Sequence, residues 1–308
     1  MGRFYDRLQR QWNDGKFVCV GLDPDITKIL PLGWQDPEEF PGAKIAFTQY
    51  LIGIIDATQD LVCAYKPNTA FFEAYGSEGI QALENVVGYV RDKYPNVVII
   101  LDAKRADIGN TNQGTALFAF RHLHCDAITV HPYMGHVAME PFLREVDRGV
   151  IVLVRTSNEG AGELQDLYVH RDLYEHGWSE PEDHLPLHLQ LSKNVHELWN
   201  YNSNCAVVVG ATVPEELLRV RELVGDDIPI LIPGVGAQGG SLELAVQNGR
   251  NARGDGFVIN ASRSVLYPQS PEGQPPIVRV PAAAREEVMR MNDVIRQTLF
   301  TLPPGNDV

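Results

Sequence analysis

Short apolar, β-branched runs recur along the chain, separated by longer stretches with amphipathic spacing. The runs are FVCVGL (17–22), LVCAYK (61–66), VVIILDAK (97–104), AITV (127–130), VIVLVR (150–155), CAVVVGA (205–211), IPILIP (228–233) and GFVIN (256–260). Most are continuously apolar rather than alternating, which predicts parallel strands covered on both faces. Between them, SEGIQALENVVGYVRDKY (77–94), NQGTALFAFRHLH (112–124) and VPEELLRVRELV (213–224) carry helical spacing. Thr212 and Glu215 offer a capping box for the last of these. Eight strand–helix repeats predict an α/β fold, a single-domain (β/α)8 barrel of the TIM type. An open doubly wound sheet is the alternative.

Two segments break the rhythm. Residues 160–190, after the fifth run, are rich in Glu, Asp, His, Pro and Trp. On a barrel, such an insertion lies on the C-terminal face, as a lid, an oligomer contact or a solvated excursion. PQSPEGQPP (268–276) reads as a loop of turn residues leading to a last helix near 281–299.

Composition narrows the function. The 308 residues are 44% hydrophobic and 21% charged, with a net charge of −14. That charge argues against nucleic acid or an anionic membrane as partner. An anionic ligand therefore needs a few local Lys and Arg. No apolar stretch approaches the roughly 20 residues of a membrane helix. The N-terminus, MGRFYDRLQRQWNDGKF, is too polar for a secretory signal, and Asp6 stands where a myristoylation motif wants Ser or Thr. Cys19, Cys63, Cys125 and Cys205 lack metal-site spacing and read as buried, reduced thiols, which suits a cytoplasmic protein.

The densest chemistry is LDAKRADIGNT, residues 101–111. Alternate strand residues share a face, so Asp102 and Lys104 project together at the barrel mouth, with Asp107 in the loop beyond. Spacing alone leaves two readings, a catalytic charge network or a structural salt bridge at the rim. PGVGAQGG (233–240) carries four glycines that permit close backbone approach to a phosphate, and Arg263 stands in the next βα loop. By itself the glycine run could be only a tight turn. The pairs His122/His124, His131/His136 and His184/His188 are not completed by carboxylates, so no metal site is expected. His131 and Pro132 end the fourth run and are expected at the pocket wall.

DAKRADIGNT resembles the signature of the orotidine 5′-phosphate decarboxylase family, whose core is Asp-x-Lys-x-x-Asp. Five further motifs agree in barrel order: GLDPD (21–25), AYKPNTAFFEAYG (64–76), VRTSN (154–158), PGVGAQGG (233–240) and NASRSVLY (260–267). The likeness spans about residues 17–267 and resembles the longer-chain bacterial branch. It implies conversion of orotidine 5′-phosphate to UMP and CO2 without cofactor or metal. Lys104 would be the proton donor in a Lys66–Asp102–Lys104–Asp107 array. Asp23 and Lys66 would contact the ribose, Ser157 the pyrimidine edge, and Gln238 and Arg263 the phosphate. Ile108 and Pro233 would wall the base. In a homodimer, Asp107 and Thr111 would reach the partner's site.

The reaction itself asks for these groups. Losing CO2 from C6 leaves an in-plane carbanion, and the sequence has no pyridoxal, thiamine or metal motif to act as electron sink. A fixed ammonium can stabilise that charge and then protonate it. The nearest rivals are Mg2+-dependent sugar-phosphate enzymes of the same superfamily, which place an acid where Lys66 stands. A non-catalytic phosphate-binding barrel would have no need of the charge array.

Overall fold

The computed structural model describes residues 3–29, 42–169, 184–236, 238–268 and 276–302. The first five strands are β1 (Val18–Leu22), β2 (Ala64–Pro67), β3 (Val98–Arg105), β4 (Ala127–Val130) and β5 (Gly149–Arg155). A small antiparallel pair follows, β6 (Tyr168–Val169) and β7 (Leu185–Pro186). The last three are β8 (Cys205–Val209), β9 (Ile230–Ile232) and β10 (Phe257–Ala261). All but β6 and β7 close into one parallel barrel in the order β1-β2-β3-β4-β5-β8-β9-β10. The seam is shut by β1, where Val20 pairs with Tyr65 on one side and Ala261 on the other.

The eight apolar runs are the eight barrel strands, because the parallel sheet is covered inside and out. Every residue of β1, β4, β8, β9 and β10 is buried. Helix Gly76–Lys93 matches its predicted stretch. The stretch 112–124 is instead helix Gly109–Leu117 running into one π-helical turn, Phe118–His122. Helix Pro214–Val224 lacks the expected capping box: its N-cap is Val213, and Pro214 opens the first turn. The Thr212 hydroxyl donates to the Ser157 carbonyl at 3.3 Å instead. The last helix, Pro276–Thr301, is longer than expected and buries Val280, Ala284, Val288, Met291 and Ile295 as one stripe.

An unpredicted helix, Arg3–Asn13, plugs the N-terminal end of the barrel with Phe4, Tyr5, Leu8 and Trp12. Its Arg7 donates to the carbonyls of Pro95 and Val97, and its Gln11 to that of Asn96, just before β3. Gly149 is required there, since a Cβ would lie 2.5 Å from the Phe4 ring. Among the described residues this helix covers the N-terminal end, and the charged ends of β2 and β3 lie at the opposite, C-terminal mouth.

Of the 160–190 insertion, a short helix Gly162–Gln165, the β6–β7 pair and the start of helix Leu187–Asn194 are defined, while residues 170–183 lie outside the described residues. Residues 269–275 of the predicted loop also lie outside them. The four cysteines are free and buried. Among the described residues, no helix is long and apolar enough to cross a membrane.

Candidate active site

Strands β2 and β3 deliver three charged side chains to the mouth. Lys66 Nζ lies 2.7 Å from Asp102 Oδ2, and Lys104 Nζ lies 2.7 Å from Asp102 Oδ1. Thr129 of β4 donates its hydroxyl to Asp102 Oδ1 at 2.8 Å and accepts the Lys104 backbone N–H at 3.0 Å. Lys104 has a left-handed φ of 47°, where β3 shifts register against β4 between Leu101 and Arg105. That irregularity interrupts regular pairing at Lys104, and pairing resumes at Arg105, which pairs with Val130.

The three charges differ in their surroundings. Lys66 is 4% exposed and Asp102 7%, whereas the Lys104 side chain is 48% exposed. Burial pulls Lys66 down, but the Asp102 carboxylate outweighs it and holds the ammonium above its ordinary value. Burial pushes Asp102 up, and the two lysine charges with their hydrogen bonds hold it well below the usual carboxylate range. Asp102 is therefore a fixed anion that accepts from Lys66, Lys104 and Thr129.

A cleft of about 750 Å3 opens above this array. Of the residues singled out in the sequence, Asp23, Lys66, Asp102, Lys104, Ser157, Pro233, Gln238 and Arg263 all line it. Ser157 Oγ donates to Gln238 Oε1 at 2.8 Å, joining the loop after β5 to the loop after β9. Two glycines permit that approach: a Cβ on Gly210 would lie 2.7 Å from Ser157 Cα, and one on Gly234 (φ +95°) would lie 2.8 Å from Gln238 Oε1. The glycine loop spends backbone donors on itself, Gly236 to Gly240 O and Gly240 to Gly234 O.

Asp107, Ile108 and Thr111 do not join the cleft of their own chain. Asn112 fixes their loop, accepting the Asp107 N–H at 2.8 Å and donating to Asp107 O and Ala138 O at 2.6 Å each. Asp107, Ile108 and Thr111 are all exposed, and Thr111 edges a separate groove with Glu73 and Arg105. Exposed Leu117 and Val137 line one groove together with Gly109 and Gln113. His131 and Pro132 do not line the cleft either. The His131 N–H donates to Arg105 O at 3.1 Å, which carries the chain along the rim.

Sequence reasoning missed several lining residues. Thr129 was hidden as a β-branched strand residue. Asn68, Asn260 and Tyr267 lie inside the quoted motifs but had no assigned role. Asn260 Oδ1 and Asp23 Oδ1 are buried without a partner among the described residues, and both residues line the cleft. The Tyr267 hydroxyl accepts the Asp25 N–H at 2.6 Å and donates to Asp23 O at 3.1 Å, fixing the loop after β1. Among the described residues, no three His, Cys, Asp or Glu side chains group as a metal site.

Comparison with known proteins agrees with the motif order and the barrel. The sequence model described as orotidine 5′-phosphate decarboxylase / HUMPS family matches residues 16–274. A protein of Janthinobacterium sp. (strain Marseille) named orotidine 5′-phosphate decarboxylase is 42% identical over 295 residues, covering 96% of this chain and 98% of its own. One of the same name from Cupriavidus necator is 44% identical over 265 residues, 86% of this chain and 89% of its own. The solved structure of Leishmania donovani OMP decarboxylase superposes with a TM-score of 0.74 at 33% identity, covering 96% of this chain and 99% of that one. The chain belongs to the orotidine 5′-phosphate decarboxylase family.

Proposed function

We propose that this carboxy-lyase converts orotidine 5′-phosphate to UMP and CO2, with Lys104 as the acid that protonates C6. The observation that carries this reading is the Lys66–Asp102–Lys104 array at the floor of a cleft that also presents Gln238 and Arg263. The C6–carboxylate bond breaks, its electron pair stays on C6, and the Lys104 ammonium gives C6 a proton that it regains from water. Lys104 suits this step better than Lys66, because its side chain is 48% exposed toward the cleft while that of Lys66 is 5% exposed. Two unit charges at about 4 Å attract by about 4 kcal/mol at an effective dielectric near 20. The array can thus contribute several kcal/mol, and phosphate and ribose binding supply positioning.

In this assignment Asp102 orients both lysines, and Asp23 and Lys66 take the ribose hydroxyls. Asp23 lines the cleft, and its Oδ1 has no hydrogen-bond partner among the described residues. Ser157 meets the pyrimidine edge and Pro233 forms an apolar wall. Gln238 and Arg263 take the phosphate, local donors in a chain of net charge −14. Asp107, Ile108 and Thr111 serve a second copy's site across a homodimer, which fits their exposure and the exposed Leu117 and Val137 of the two helices that follow. Four free, buried thiols suit a cytoplasmic setting.

The rival from the sequence is a Mg2+-dependent sugar-phosphate enzyme of the same superfamily, and Lys66 separates the readings. A cation salt-bridged to Asp102 stands where those Mg2+ enzymes place an acid. The test is loss of orotidine 5′-phosphate absorbance with purified protein in EDTA. Full activity supports the decarboxylase reading, and activity that requires added Mg2+ overturns it.

A further inference from the structure

The insertion after β5 bonds directly to the loop that carries Ser157. Gln165, at the end of helix Gly162–Gln165, grips Thr156 at two points. Its Oε1 accepts the Thr156 N–H at 2.8 Å, and its Nε2 donates to Thr156 Oγ1 at 2.9 Å. The Thr156 hydroxyl in turn donates to Asn158 Oδ1 at 2.7 Å. Ser157 is thus flanked by two residues tied into one small network.

A second set of contacts anchors the brace. Arg155, the last residue of β5 and 7% exposed, faces Asp166 with Nε 2.9 Å from Oδ1 and Nη2 3.0 Å from Oδ2. The same guanidinium donates to Thr156 O at 3.1 Å. Gly162 leaves room for the pair, since a Cβ there would lie 2.5 Å from Asp166 Oδ2. From the far arm of the insertion, buried His188 places Nδ1 2.9 Å from Gln165 O. The opposite side of Ser157 is closed by Gly210 and by the Thr212 hydroxyl on its carbonyl.

We infer that Gln165 is a positioning residue: the insertion is a brace that holds Ser157 against Gln238 and so sets the nucleotide grip. The inference rests on the assignment of Ser157 and Gln238 to substrate. Gln165 is not among the residues lining the cleft, so its effect passes through Thr156. A brace of this kind reduces the conformational freedom that ligand binding must otherwise remove, and its loss appears as weaker binding.

The experiment compares UMP affinity and thermal unfolding for the full chain carrying Gln165→Leu, Gln165→Glu or Gln238→Ala. Leucine removes both bonds to Thr156 at similar volume, whereas glutamate keeps the acceptor for the Thr156 N–H and loses only the donor to the Thr156 hydroxyl. Gln165→Leu should weaken UMP by about tenfold, as expected for two neutral hydrogen bonds. Gln165→Glu should restore affinity to within about threefold of wild type, with KM following Kd and kcat little changed. If Gln238→Ala weakens UMP but Gln165→Leu does not, the brace is refuted and the site assignment stands. If Gln238→Ala leaves UMP affinity unchanged, the site assignment fails and the inference with it. A Gln165→Leu loss that tracks lowered unfolding temperature and is not rescued by glutamate reduces Gln165 to a structural residue and overturns the proposal.

Discussion

The Thr129 hydroxyl donates to Asp102 Oδ1 across 2.8 Å, tying β4 to the carboxylate that both lysines share. Thr129 Oγ1 also accepts the Lys104 N–H, so one side chain sets both the anion and the backbone of the proposed acid. Thr129→Val keeps the shape and loses both bonds. Turnover should fall by about tenfold or more while UMP affinity holds, because the lost contacts orient the reacting amine rather than the ligand. Unchanged kcat with weakened UMP binding would place Thr129 in the ligand contact instead.

Lys104→Ala should abolish decarboxylation and leave the fold intact. Its side chain is half exposed at the rim and contributes nothing to the apolar core. A native circular dichroism spectrum with a rate below about a thousandth of wild type is expected of a lost general acid that also stabilises the carbanion. A variant that keeps a tenth of the rate would move the proton donor elsewhere.

The shared carboxylate also sets a pH signature. A group held below its unfolded value, about 3.9 for Asp, stabilises the fold above that pH, and the stability is lost as pH falls through the folded value. Lys66 runs the other way: held above its ordinary value, it contributes fully below about pH 10.4 and loses that contribution only at higher pH. The stability gap between wild type and Asp102→Asn, read from urea midpoints, should therefore shrink below about pH 4 and not between about pH 5 and 7. A gap that stays constant into strong acid would contradict the depressed Asp102.

Arg263→Ala should weaken UMP far more than uridine, since only the nucleotide carries the dianion. Hydrogen bonds to charged groups are worth about 1.5–3 kcal/mol each, so a loss of tenfold to a hundredfold is expected by calorimetry. Equal weakening of both ligands would take Arg263 out of the phosphate site.

Asp107→Ala and Lys104→Ala proteins, each inactive, should regain activity when mixed under conditions of subunit exchange. With shared sites, a heterodimer holds one site with both defects and one with neither. Random pairing then gives about a quarter of wild-type activity. Exchange without recovery would place the whole array in one chain.

The barrel was legible because its strands are covered on both faces and so appear as unbroken apolar runs. The charge array was legible because Asp102 and Lys104 alternate on one strand. Helix Arg3–Asn13 escaped notice behind its polar residues, although Phe4, Leu8 and Trp12 recur at helical spacing. The capping box failed because Thr212 had a better acceptor across space in Ser157 O, a partner that local sequence cannot reveal. Thr129 and Gln165 were illegible for the same reason: each acts through a neighbour brought close only by strand pairing or by the insertion folding back.

The seam between β1 and β10 sets an order of assembly. Lys66 and Asp102 are 36 positions apart and meet when two adjacent strands pair. Ser157 and Gln238 are 81 apart, and Tyr267 reaches Asp23 across 244. Loop closure costs more for distant pairs, so the ion pair can form in a half-built ring while the Tyr267–Asp23 contact across the seam, and with it the complete cleft, waits for its completion. During refolding, nucleotide affinity therefore reports that the ring has shut, whereas the salt bridge reports only that its first neighbours have met.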